Sequence, residues 1–312
     1  WKMVAGGQLV NGRGTLAGLR DGLIDAGMSI PSYTPKHLPA SNSFFSSLVF
    51  GKDIVAAGGA TTETVLLHCP QCTKEFKKNK AVMIGGYSAS PFMLMCRDKI
   101  TNLAELKGKK VRSSGGGVFL MKAAGAIPVA MSPAQATTAL QRGALDCVLG
   151  APSWLRSYGY QDVAKHIIDY PLGMVGPVLS MFINRGVWNK MTMAQKKAHL
   201  KYAPRVVAHS VITSYLLRDE EVLKNAKKAG VTLHPGGKEF GDLVAKRQKD
   251  QRQQNIDNAK KFGVKNPEAI IVAFEKALVK WRGLSKGIGR DVAKYEAALK
   301  REIYDKLDIN KL

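Results

Sequence analysis

One stretch, Leu103 to Cys147, constrains this chain more than any other, because its punctuation permits a single order of elements. Val111 sits in a short strand with basic flanks, which stops at Ser113 and Ser114 and delivers Arg112 at its end. Gly115, Gly116 and Gly117 follow, and without Cβ atoms they let the backbone approach whatever lies above the strand end. A helix then runs to Gly125, and Ile127, Val129 and Met131 alternate as a second strand. Ser132, Pro133 and Gln135 supply an N-cap, a proline at the first helical position and a reciprocal capping side chain. That helix reaches Gly143, and Leu145, Cys147 and Leu149 make a third strand. The result is a right-handed βαβαβ unit whose loops converge at the strand carboxyl ends, where open α/β sheets bind ligands. Arg112 stands at that mouth. A guanidinium can grip a carboxylate through two parallel hydrogen bonds. Phosphate is the rival use of the glycine run, but the GxxxxGK[ST] pattern is absent.

The chain has 312 residues, 45% of them hydrophobic, enough to bury a real core and to divide into two domains. It contains no uninterrupted apolar run of about 18 residues, so no segment reads as a membrane span. Its 47 Lys plus Arg against 24 Asp plus Glu give a formal charge of +23. That balance suits nucleic acid, yet the lysines are dispersed on helical faces such as Lys224, Lys227 and Lys228. No arginine-rich arm, zinc-finger spacing or RNP-like segment accompanies them. The reading is a solvated basic surface that favours anionic solutes or membranes. No Ser/His/Asp set or carboxylate pair stands out among six scattered histidines, so no nucleophile has an evident base.

Along the chain, Trp1 to Val4 reads as a strand in progress, followed by a helix with Leu16, Leu19 and Leu23 and the strand Ala26 to Ile30. Tyr33 follows that strand end, in a proline-punctuated loop, where it can face a cleft. Phe44, Phe45, Leu48, Val49 and Phe50 read as core, and Gly51 to Ala60 as a connector. The segment Ala60 to Lys80 is helical and holds Glu63, either solvated or turned to the cleft to meet a cation. Ala81 to Ile84 is a strand ending in Gly85-Gly86-Tyr87-Ser88, and Pro91 to Cys96 and Pro177 to Asn184 are extended runs that cross between domains. A long helix from about Val206 to Ala229 forms a spine, with Pro204 interrupting or starting it. Val292, Tyr295, Leu299, Ile303 and Leu307 share one stripe of a packing helix.

The segments LAELKGKKVR, GAIPVAMSPAQ and ALQRGALDC, with GGQLVNGRGTLAGLRDGLIDAGMSI before them and LSMFINRGVWNKM after, resemble the solute-binding proteins of tripartite ATP-independent periplasmic (TRAP) transporters. The resemblance is to the dicarboxylate-binding-protein (DctP) family, and it is colinear over most of the chain. It implies an α/β, two-lobed periplasmic-binding-protein fold, each lobe a mixed sheet flanked by helices, joined by crossing strands and the spine helix. Lobe I would comprise 1–95 plus 177–216, and lobe II 96–176 plus 217–312 with the C-terminal helices. Resembling proteins carry a strand and helix before Trp1, so a further N-terminal segment is expected. Without it the first sheet has an unpaired position at or near its centre.

The resemblance further implies a periplasmic, monomeric binding protein, not an enzyme, that closes by a hinge near Met93 to Arg97 and Pro177 to Asn184 and hands its solute to TRAP permease subunits. No cofactor, metal or nucleic acid is implied, and Arg112 is the carboxylate anchor. Sialic-acid-binding relatives add a second arginine, whose place falls near Phe92, and an asparagine, whose place falls at Gly150 or Ala151. The loops here offer Tyr33, Tyr87, Ser88, Phe92, Trp154 and Tyr158 instead. Aromatic faces hold quaternary ammonium groups by about 0.5 to 2 kcal/mol each. The expected solute is a small monocarboxylate, with a betaine-like zwitterion as one form and a plain dicarboxylate or keto acid as the alternative. In an exported protein four cysteines default to disulfides, with Cys69–Cys72 the preferred pair and Cys96 and Cys147 buried small hydrophobes or a second bridge. The thioredoxin-like Cys69-Pro70-Gln71-Cys72 spacing keeps a thiol-disulfide enzyme as the second reading, and a nucleic-acid-binding protein as the third.

Overall fold

The caps and glycines of Leu103 to Cys147 end elements where the sequence places them. In the computed structural model, which describes residues 1–312, the helix Gly116–Ala123 stops before Gly125 in a left-handed conformation (φ +76°). The helix Pro133–Gln141 opens on the reciprocal Ser132–Gln135 capping box. Ten strands result: β1 Ala26–Ser29, β2 Ala81–Met83, β3 Gly86–Tyr87, β4 Met93–Cys96, β5 Lys110–Arg112, β6 Ile127–Val129, β7 Cys147–Gly150, β8 His166–Asp169, β9 Val178–Asn184 and β10 Thr232–Pro235.

They form two sheets. In the first, β9 lies between β1 and β2 and also pairs with β3, antiparallel throughout. The second has the order β10-β8-β4-β7-β5-β6. Within it β5 runs parallel to both β6 and β7, as the βαβαβ reading requires, and β4 is antiparallel to β7 and β8. Each sheet has its own core. Phe44, Phe182, Trp281 and Tyr295 are buried on the first, and Phe92, Leu149, Tyr160 and Phe240 on the second. The structure is thus a two-lobed α/β fold.

Several expectations are corrected. Trp1 to Val4 joins no strand and is exposed, because no strand of the chain lies beside it to take its backbone hydrogen bonds. The helix Ile54–Leu67 starts inside the stretch read as a connector. Asp53 caps it, accepting from the Ala56 amide at 2.9 Å, and its glycines serve helix packing rather than a turn. A Cβ on Gly59 would lie 2.2 Å from the Trp281 ring. The C-terminal helices Pro267–Ile288 and Val292–Glu302, placed above with lobe II, bury Ile270, Phe274, Trp281, Tyr295 and Leu299 in the first core. Their apolar stripes were legible; which sheet they cover depends on chain reversal after the Lys238–Lys261 helix.

The crossings also shift. β4 and β9 lie wholly within sheets, so the connections between lobes fall just before them. Ala89 donates to the Val175 carbonyl (2.8 Å), Phe92 to Gly173 (2.9 Å) and Leu172 to Phe92 (2.8 Å), an antiparallel pair of connecting segments. The spine is longer than read: Met193–Ala208, with Pro204 buried inside it, continues through a π-helical stretch His209–Leu217 into Arg218–Asn225. Both cysteine pairs are bridged. Cys69–Cys72 spans the first turn of Pro70–Lys78, and Cys96–Cys147 joins residues directly opposite each other in β4 and β7. Of the two alternatives for Cys96 and Cys147 the bridge is the one formed, a choice set by strand adjacency, which is not written locally.

Candidate functional site

β5, β6 and β7 end side by side, and the guanidinium of Arg112 occupies the space beyond them. It is only 1% exposed. Nε donates to the Met131 carbonyl at 2.9 Å, Nη1 to the Leu149 carbonyl at 3.3 Å and Nη2 to the Tyr33 hydroxyl at 3.2 Å. None of these partners is a carboxylate. A guanidinium has five N–H groups, so one remains on each terminal nitrogen, the arrangement that both oxygens of one carboxylate can accept. A buried cation without a counter-charge costs several kcal/mol, which an anionic ligand would relieve.

Aromatic rings enclose this head. Trp154 opens the short helix Trp154–Ser157 directly after β7, and its ring centroid lies 5.2 Å from the Arg112 Cζ. Phe92 packs on Trp154 at 5.4 Å, Tyr158 meets it edge-on at 5.7 Å, and Tyr160 lies 5.8 Å from Tyr158. Tyr87 pairs with Tyr215 of the spine at 5.9 Å. Burial pushes the Tyr87 phenol up to about 12 and raises Tyr158 and Tyr215 as well. These phenols therefore stay neutral at physiological pH, and no phenolate competes for Arg112. Asp219, also on the spine, accepts from the Ser153 amide at 2.7 Å and pins the turn that carries Trp154.

The lobes meet here. Tyr33 follows β1 of the first sheet, and nearby Arg13 Nη2 reaches the Ala130 carbonyl past β6 at 2.8 Å. Arg112, Tyr33, Trp154, Phe92, Tyr87 and Tyr158 are thus gathered into one region, by direct contact for Arg112, Tyr33, Trp154, Phe92 and Tyr158 and through Tyr215 for Tyr87. Ser88 and Glu63 are committed elsewhere. The Ser88 hydroxyl donates to the Ala89 and Val175 carbonyls within the crossing, at 3.0 and 3.2 Å. Glu63 faces the C-terminal helix, against Lys280 and Trp281. Tyr160 and Tyr215 were not singled out. Tyr215 sits in an ordinary apolar helical run, and only the π-helical stretch sets its direction. The glycine loop has a packing role: a Cβ on Gly116 would lie 2.4 Å from the Ser46 carbonyl oxygen.

Gly150, where the sialic-acid-type pattern has its asparagine or one residue before it, is required by Trp154. A Cβ there would stand 2.3 Å from the indole. Gly150→Asn is expected to expel Trp154 from Arg112 and weaken solute binding about 100-fold or more, with a loss of about 1–3 kcal/mol of stability. Titration calorimetry together with Trp fluorescence checks both effects.

Two α/β lobes meeting at strand ends that carry a buried arginine have the architecture of a two-lobed solute-binding protein. The structure is similar to a TRAP periplasmic solute-binding protein from Bordetella bronchiseptica with bound (R)- and (S)-mandelate, with a TM-score of 0.73 at 21% identity over 87% of this chain and 85% of that one. It is similar to a TRAP solute-binding protein from Rhodoferax ferrireducens in complex with copurified benzoate (TM-score 0.73, 17% identity, 89% and 86% covered). A Bordetella pertussis extracytoplasmic solute receptor binding pyroglutamic acid gives a TM-score of 0.71 at 15% identity, with 88% and 87% covered. The chain belongs to the DctP family, bacterial extracellular solute-binding protein family 7, whose model matches residues 2–264. That is a family of receptors rather than enzymes. No helix is long and apolar enough to cross a membrane.

Proposed function

We propose that this protein captures a small, largely apolar monocarboxylate, an aromatic acid foremost, and presents it in the periplasm to a TRAP permease, acting as a monomer. The observation that carries the reading is Arg112, buried, with one unused N–H on each terminal nitrogen and aromatic rings on its flank. The similar structures with mandelate and benzoate support this ligand class. A betaine-like solute is less favoured, because the Trp154 ring that would receive its ammonium already lies over the Arg112 cation. A thiol-disulfide role gains no support from Cys69 and Cys72, both buried within their bridge. The solute binds the closed arrangement better, through Arg112 and Tyr33 together, and shifts the lobes toward it by that difference.

Calorimetry with benzoate, mandelate, pyroglutamate, succinate and glycine betaine tests the proposal. Aromatic acids are expected to bind at least about tenfold tighter, a difference of about 1.4 kcal/mol, than succinate or betaine; tighter succinate or betaine binding would sink it. Affinity is expected to be flat from about pH 6 to 9, since the raised phenols do not ionise there. It should fall about tenfold per unit below about pH 4, as the solute carboxylate takes up a proton. A midpoint near neutrality in the same titration would assign the anchor to another group.

A further inference from the structure

Two arginines of the chain are buried, and the solute site uses only one. The other, Arg247, is 3% exposed and lies midway along the helix Lys238–Lys261. That helix spans the seam between lobes: Phe240 and Leu243 enter the second core, Ala259 the first. The Arg247 guanidinium faces the helix Gly116–Ala123, its Cζ 5.1 Å from the Phe119 ring. Nη1 donates to Gln254 Oε1, while Nε and Nη2 have no acceptor. The polar side chains on the neighbouring turns bond elsewhere, although the Asn255 Oδ1 is a buried acceptor without a partner. Gln251 accepts from the Leu48 amide at 2.9 Å and donates to the Leu48 carbonyl at 3.0 Å, and Asn255 donates to Ser47 at 2.8 Å.

Arg247 therefore repeats the features of Arg112: burial, an aromatic ring under the guanidinium, unused N–H groups and no hydrogen bond to a carboxylate. Burial pulls its guanidinium down to about 10, with only Asp250 opposing. An uncompensated guanidinium in such a place is costly, whereas an anion accepting from Nε and Nη2 would neutralise it. We propose that Arg247 holds a small monovalent inorganic anion of chloride size in the seam between Gly116–Ala123 and Lys238–Lys261, a second anion site distinct from the one at Arg112. Enclosure by two helices limits the size of the guest, and a chain of formal charge +23 concentrates anions around it. Because Gln251 clamps Leu48 on the same helix, the bound anion would steady the seam across which the lobes pack.

The test compares wild type and Arg247→Met in sodium chloride and in sodium gluconate at equal ionic strength, so that screening of the basic surface is constant. Wild type is expected to show a saturable chloride-dependent rise in Tm of about 2–4 °C. Arg247→Met should show none, and in gluconate should be at least as stable as wild type, because the uncompensated charge is gone. Crystals soaked in bromide should give an anomalous peak within hydrogen-bond distance of Nε or Nη2. An equal halide response in both proteins, no response in wild type, a bromide-free site, or a variant less stable than wild type in gluconate would each overturn the proposal.

Discussion

Arg112→Ala is expected to lower affinity for carboxylate solutes by about 100- to 1,000-fold, equivalent to about 3–4 kcal/mol. The loss has two sources. The variant removes both N–H groups that remain for a carboxylate, and it leaves the solute's charge in a site walled by Trp154, Phe92 and neutral phenols, where water cannot replace them. The fold should survive, because Met131 lies past the end of β6, and Leu149 lies beyond the β5–β7 pairing and keeps its place opposite Leu94 of β4. Arg112→Lys keeps the charge but offers a point donor in place of a planar fork, and should recover only part of the loss. Calorimetry gives the affinities, and circular dichroism with thermal melts shows that both variants remain folded. Affinity within tenfold of wild type in the alanine variant would place the anchor elsewhere.

Glu63→Ala is expected to destabilise the protein by about 2–4 kcal/mol while leaving solute affinity within about twofold. One carboxylate oxygen accepts from the Trp281 indole at 2.7 Å and from Lys280 at 2.5 Å, and the other lies 3.1 Å from His68 Nε2. Trp281 is fully buried, so its N–H would lose its acceptor with no water to replace it. Lys280 is not stranded, since Glu302 lies 3.4 Å away, and the cost stays below that of an isolated buried charge. Glu63→Gln retains an acceptor for the indole and should cost less than half as much. Denaturant melts and calorimetry on the two variants separate the outcomes. A tenfold drop in affinity with unchanged stability would return Glu63 to the cleft.

Glu63 shows where local reading ends. Its helix was evident, but an acid among threonines has no signature that tells a cleft from a helix–helix interface. The choice is made by Gly59, which allows the Ile54–Leu67 and Pro267–Ile288 helices to approach until Trp281 meets the carboxylate. The same holds for Cys96 and Cys147. Each was legible as a buried strand residue, but only the antiparallel register of β4 and β7 sets them opposite. The crossings were displaced by a few residues for a related reason: an extended run looks the same inside a sheet as between two.

The sequence by itself determined the βαβαβ unit, its Ser132 cap, the glycines that end its helices and the position of Arg112 at a strand end. These follow from capping, φ preference and hydrophobic period, which act within a few residues and are decided wherever the chain goes. The tertiary structure alone decided which rings surround Arg112, which lobe the C-terminal helices cover and which acid meets Trp281. Each of these joins residues far apart in the chain, and its energy comes from close packing and burial that exist only once the lobes have formed.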